Sequence, residues 1–225
     1  MKYSGIIFDF NGVMWWDQPL QELAWRQFAE QEMRITLTSE VMAVQVHGRN
    51  NKHTLEYLAG SRLNDETLDQ LSEQKESVYR NLCLAQGDEF KLSPGAVELL
   101  DALAARGIPR TIATASGKEN LEFFFEHLRL DTWFDRQCIV CDDGVRPGKP
   151  APDIYLQAAQ ILGLNPSDCV VLEDSLSGIQ SARSAGIGCI IAMGSIDEHA
   201  RLSRLEGVNQ VVDNLGNLDW KNLFL

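Results

Sequence analysis

Tyr3-Ser4-Gly5-Ile6-Ile7-Phe8-Asp9-Phe10-Asn11-Gly12 opens the chain with an apolar run of strand length that ends on a carboxylate and a turn dipeptide. Apolar residues at successive positions suit a strand covered on both faces, as in a parallel sheet. The texture then changes. Between about Pro19 and Ala85, Leu20, Leu23, Ala24 and Phe28 recur at helical spacing, and Ser39 is a candidate N-cap for a helix over 40–46. Further helices are predicted over 51–59 and 65–84, the last with Leu68, Leu71, Val78 and Leu82 on one face. This block carries no strand signal and reads as a small helical bundle.

A third texture begins after Gly87. Ser93-Pro94 opens a helix over 95–106 that Gly107 closes. Strands predicted over 110–113, 137–140, 169–172 and 188–192 then alternate with helices over 119–127, 152–162 and 177–185. Such alternation indicates a parallel sheet covered on both sides. The expected architecture is an α/β core of residues 1–14 plus 87–225 with an all-α cap, residues 15–86, inserted after the first strand. An insertion there lies at the carboxyl end of the sheet, where open α/β sheets bind ligands.

Composition removes several functions. The 225 residues include 32 Asp+Glu against 20 Lys+Arg, a net charge of −12, which argues against a nucleic-acid partner. No apolar run reaches the roughly 18 residues of a membrane span. Asp9 interrupts the apolar N-terminus and no small-residue cleavage site follows, so no signal peptide is expected. Cys83, Cys138, Cys141, Cys169 and Cys189 are an odd, scattered set, read as reduced thiols of a cytoplasmic protein. Cys138-Ile139-Val140-Cys141 lacks the second ligand pair of a zinc site and reads as part of a strand. A monomer is expected.

Four chemistry-bearing features fall at the ends of predicted strands. Asp9 ends the first, Thr114 the second, Lys149 follows the third, and Glu173-Asp174 end the fourth. Each alone is an ordinary cap, loop charge or helix-start acid. A parallel sheet, however, brings all of them to one rim, and capping does not require these residue types at consecutive strand ends.

Together these segments resemble the four motifs of the haloacid dehalogenase superfamily, and more closely its β-phosphoglucomutase-like phosphatase branch. The resemblance covers nearly the whole chain and is most specific in Gly148-Lys149-Pro150-Ala151-Pro152-Asp153 and Leu172-Glu173-Asp174-Ser175-Leu176-Ser177-Gly178-Ile179. It implies a Rossmann-like core with a helical cap and a small phosphorylated substrate, such as a sugar phosphate. Asp9 would be the nucleophile, forming an aspartyl-phosphate. Mg²⁺ would be held by Asp9, the backbone carbonyl of Asn11, Asp174 and Glu173, directly or through water. Thr114 and Lys149 would grip the phosphoryl oxygens, with the Ala115 N–H as a further donor.

Asn11 departs from the pattern. The resembled phosphatases carry Asp there as general acid and base, and an amide cannot transfer that proton. A slow phosphatase or a phospho-ligand-binding relative are the implied outcomes. The mutases of the branch need a second basic grip, for which His47, Arg49, Ser116 and Lys118 are candidates, but Trp15-Trp16-Asp17-Gln18-Pro19-Leu20-Gln21 lacks their linker histidine. Dehalogenase chemistry is disfavoured by the intact Glu173-Asp174 pair. A Schiff-base hydrolase would need a cap lysine, Lys52 or Lys75. Packing is the expected role of at least one of Trp15 and Trp16.

Overall fold

The computed structural model describes residues 2–224. Six strands, β1 (Gly5–Phe8), β2 (Arg110–Gly117), β3 (Val140–Asp142), β4 (Cys169–Glu173), β5 (Cys189–Met193) and β6 (Val208–Val212), form one parallel sheet of order β3-β2-β1-β4-β5-β6. β1 pairs with β2 through Ile7 opposite Thr111 and with β4 through Ile7 opposite Val171. The unbroken apolar run of β1 is explained by its central place, because every one of its positions is buried.

The strand period of two divides the core between the two faces. Ile6 and Phe8 point into the larger cluster, with Ile112, Leu172 and Ile191. That face is covered by helices α5 (Ala96–Ala105), α6 (Lys118–Leu128) and the C-terminal α10 (Trp220–Phe224). Ile7, Ala113, Val171 and Ile190 face the other way, toward α7 (Asp153–Ile161), α8 (Leu176–Ser184) and the short α9 (His199–Leu202). The remaining helices, α1 (Gln18–Glu32), α2 (Ser39–Val41), α3 (Asn51–Ala59) and α4 (Asp65–Leu84), lie between β1 and α5 in sequence. They enclose a cluster of their own around Trp25, Phe28, Met42, Leu55 and Leu68. Ala24, Tyr79 and Cys83 instead join the core cluster beneath, together with Trp15. Trp15 is therefore a packing residue, tilted on Phe90 at 5.2 Å, whereas Trp16 is exposed.

The structure corrects several expected boundaries. Thr38, not Ser39, caps α2 by accepting from the Val41 N–H, and 42–46 continue as a π-turn. The first core helix begins at Ala96, leaving Pro94 outside it. β3 starts at Val140 because 136–138 form a 3₁₀ turn, capped by the Asp135 side chain on the Gln137 N–H at 3.0 Å. β2 extends to Gly117 and so carries Thr114, Ala115 and Ser116 on the sheet itself. β6 was not predicted: as an edge strand it exposes Asn209 and Gln210, which erases the apolar signal.

Phe8 is fully buried and meets Phe134 edge-on at 6.2 Å. Phe8→Ala is expected to lower stability by about 3–5 kcal/mol, read from the urea midpoint.

Candidate active site

Asp9 directly follows β1, and its N–H donates to the Leu172 carbonyl at 3.0 Å, so the pairing of β1 with β4 sets the carboxylate at the sheet's edge. Lys149 reaches it from the loop before α7. Its Nζ lies 2.9 Å from Asp9 Oδ1 and also donates to Glu173 Oε1, with the lysine only 3% exposed. Glu173 is fully satisfied by protein donors: Tyr155 at 2.8 Å on Oε1, and the Ser175 N–H and hydroxyl at 2.9 and 3.0 Å on Oε2. Burial opposes the charge on Lys149, but the two adjacent carboxylates outweigh it and hold the ammonium strongly protonated.

Asp174 completes the group. Oxygens of Asp9, Glu173 and Asp174 all lie within 4.8 Å of one another. Glycine is required beside them: Gly12 has φ +79, and a Cβ there would overlap the Asp174 carboxylate. Three carboxylates face one ammonium, and the titrations respond. Burial, with repulsion from Glu173, pushes Asp9 up to about 7 against the pull of Lys149. Burial, then Glu173 and Asp9, push Asp174 well above the usual carboxylate range. This all-oxygen, electron-rich donor set fits a hard divalent cation.

Asn11 is held on both sides of its amide. Its Nδ2 donates to Asp17 Oδ2 at 2.6 Å and to the Tyr79 hydroxyl at 3.3 Å, and its Oδ1 accepts from Ser116 Oγ at 2.8 Å. Thr114 is buried, and its oxygen accepts from the Ser116 N–H at 3.1 Å. Thr114, Ala115 and Lys149 line one small cleft with Asn50, Asp142 and Gly148.

Residues 3–186 match the haloacid dehalogenase-like hydrolases. The chain belongs to this family. Among solved structures, a family IA variant 3 HAD hydrolase from Entamoeba histolytica shares 35% identity at a TM-score of 0.86, covering 98% of this chain and 97% of that one. The fructose-1-phosphate phosphatase of Escherichia coli is 30% identical over 192 residues, 84% of this chain and 96% of that protein. A bifunctional riboflavin kinase/FMN phosphatase from Arabidopsis thaliana is 36% identical over 142 residues, 61% of this chain but only 36% of that longer protein.

In this hydrolase the helical segment lies against the site through polar contacts. Ser177 Oγ donates to the Gly48 carbonyl at 2.9 Å, Asn50 Nδ2 to Asp142 at 3.2 Å, and Asn120 Nδ2 to Glu76 at 2.6 Å. The candidates for a second basic grip each meet a neighbour or solvent. His47 Nε2 is 3.1 Å from Glu22, Arg49 Nη1 donates to the Lys149 carbonyl at 3.0 Å, and Lys118 is exposed at the start of α6. Lys75 is buried between Gln21 at 2.7 Å and Glu76 at 3.0 Å, over the Trp25 and Tyr79 rings. Cys138 and Cys141 are free thiols outside the metal-type cluster. Sequence reasoning missed Asp17, Tyr79 and Tyr155. Asp17 alone carried a signal, as the single acid of the stretch Trp15 to Gln21.

Raised carboxyls mean that the folded chain holds more protons than the unfolded one, so their contribution to stability declines as pH rises from the ordinary carboxylate range through about 7. A bound cation competes with those protons. Mg²⁺ should therefore raise the Tm more at about pH 8 than at about pH 5. Asp174→Asn should raise the metal-free Tm at the higher pH and abolish the Mg²⁺ increment, as scanning calorimetry would show.

Proposed function

We propose that this hydrolase is a Mg²⁺-dependent phosphatase of small phosphorylated metabolites, sugar phosphates among them, working through an aspartyl-phosphate on Asp9. The observation that carries this reading is the buried Asp9 carboxylate, 2.9 Å from Lys149 Nζ and clustered with Glu173 and Asp174. The phosphatase name of the Escherichia coli relative, matched over nearly its whole length, supports it.

Asp9 attacks phosphorus, the phosphorus–oxygen bond to the leaving group breaks, and water then cleaves the acyl phosphate to return Asp9 and inorganic phosphate. Lys149 and the Thr114 hydroxyl hold the phosphoryl oxygens as charge shifts, with the Ala115 N–H as a further donor. Glu173 positions Lys149 rather than touching substrate, since its oxygens are occupied by Lys149, Tyr155 and Ser175. Asp9, Asp174 and the Asn11 carbonyl would hold Mg²⁺, which would supply charge neutralisation for the approach of a carboxylate to a phosphate. Residues 15–86 act as the cap that excludes water from the core of 1–14 plus 87–225. The free cysteines suit a reducing compartment such as the cytoplasm.

Asn11 offers no proton to the leaving oxygen, so leaving groups that depart as stable anions are favoured. Phosphate release with Mg²⁺ should be about 10²-fold or more faster from p-nitrophenyl phosphate than from an alkyl sugar phosphate. Asp9→Asn should lose at least about 10³-fold; activity that survives it refutes the reading. Asn11→Asp alone sets a second carboxylate against Asp17 and should lower the Tm, whereas Asn11→Asp with Asp17→Asn should restore both Tm and turnover.

A further inference from the structure

The three carboxylates of the cluster are not equally open to a cation. Glu173 is fully buried and has four donors: Lys149 and the Tyr155 hydroxyl on Oε1, the latter at 2.8 Å, and the Ser175 N–H and hydroxyl on Oε2 at 2.9 and 3.0 Å. An ionised carboxylate has about four lone-pair sites, so this one is filled. It is also confined from behind, because a Cβ at Gly178, in the first turn of α8, would overlap Oε1. Asp9 gives one oxygen to Lys149. Asp174 differs again: among the described residues none donates to it, and its neighbours act on it through charge.

Tyr155 decides the arrangement at Oε1. It stands on α7, is fully buried, and meets both members of the ion pair. Its hydroxyl donates to Glu173, and Lys149 Nζ lies 5.3 Å from the centre of its ring. The hydroxyl fills the lone pair of Oε1 that Lys149 leaves free. With Glu173 so engaged, the protein offers a cation Asp9, Asp174 and, on the phosphatase reading, the Asn11 carbonyl. So few protein oxygens suit Mg²⁺, which keeps several waters and takes one or two carboxylates. Ca²⁺ takes about six to eight oxygens at longer range and gains more from a further carboxylate.

We propose that the Tyr155 hydroxyl withholds Glu173 from the metal site and thereby sets the preference of that site for Mg²⁺ over Ca²⁺. Tyr155 is a positioning residue: it acts through Glu173 and touches neither cation nor substrate. The inference rests on the phosphatase reading for which oxygens face the cation, while the preference itself is a property of binding without substrate. The opposite arrangement, with Glu173 a ligand steadied by Tyr155, predicts the opposite sign, since losing a partner behind a ligand weakens metal binding.

Calorimetric titration of the full chain with Mg²⁺ and with Ca²⁺, at about pH 8 and without substrate, tests it. The unsubstituted chain is expected to prefer Mg²⁺. Tyr155→Phe keeps the ring and removes only the hydroxyl; it should tighten Ca²⁺ binding and move the ratio of the two affinities by about 10-fold toward Ca²⁺. Ser175→Ala frees the other oxygen of one donor and should move the ratio the same way, which keeps the test decisive if the tyrosine variant does not fold. Adding Glu173→Gln to Tyr155→Phe should remove the gain. A preference for Ca²⁺ in the unsubstituted chain, weaker binding of both cations by Tyr155→Phe, an unchanged ratio, or a gain that survives Glu173→Gln overturns the proposal. Phosphate release from p-nitrophenyl phosphate by the unsubstituted chain reports on the hydrolase reading separately. A chain that turns over with Mg²⁺ yet keeps its ratio in Tyr155→Phe refutes the selectivity alone, whereas one that binds neither cation refutes both.

Discussion

Three carboxylates gathered around one buried ammonium impose the central constraint on this molecule. A lysine as enclosed as Lys149 is tolerated only when its charge is compensated and its hydrogens are placed, and Asp9 and Glu173 do both. Glu173 is in turn held by Tyr155 from α7 and Ser175 at the start of α8. One charged point therefore ties β1, β4, two helices and the loop before α7 to a common position. The group still carries an excess of negative charge, and that excess is what makes the place suited to a cation and a phosphoryl group rather than to a simple structural ion pair.

A second polar system lies beside it and follows the opposite rule. Among the described residues Asp17 has no cation in hydrogen-bond contact; it is satisfied by neutral donors from the catalytic loop, α1 and α4. Burial raises its carboxyl, and the bonds from Tyr79, Asn11 and Gln21 pull it back. The chain continues through Gln21 to Lys75, Glu76 and Asn120, returning to the core at α6. Helical segment and core thus meet here through hydrogen bonds, among them that of Asn120 to the Glu76 carboxylate. Elsewhere Ala24, Tyr79 and Cys83 are packed into the apolar core.

The strand-end residues were readable because parallel topology does the assembling: once β1, β2 and β4 are neighbours, whatever follows each strand arrives at one rim. Asp9 and Asp174 needed only the correct strands, which announce themselves by apolar runs, whereas Thr114 lies within β2 and Lys149 arrives from the loop before α7. Tyr79 and Tyr155 left no such trace. Each sits on a helix, where a tyrosine facing the core and one facing the site read alike. Arg49 shows the converse, since its bond to the Lys149 carbonyl is invisible until the loop before α7 is seen in place.

What the order of residues settled was therefore local and periodic: the alternation of strands and helices, the place of the helical insertion, the residue types at the rim and the amide at position 11. Packing decided what that amide does. The direction of each hydrogen bond from Asp17 through Asn11 to Ser116 depends on groups brought together from the linker, the catalytic loop and β2, with α4 contributing Tyr79. Only when the acceptor-only carboxylate is enclosed at one end of that chain does the hydroxyl at the other end lose its freedom to donate. Hydrogen-bond polarity is a property of the assembled network, whereas strand and helix periodicity is already present in the unfolded chain.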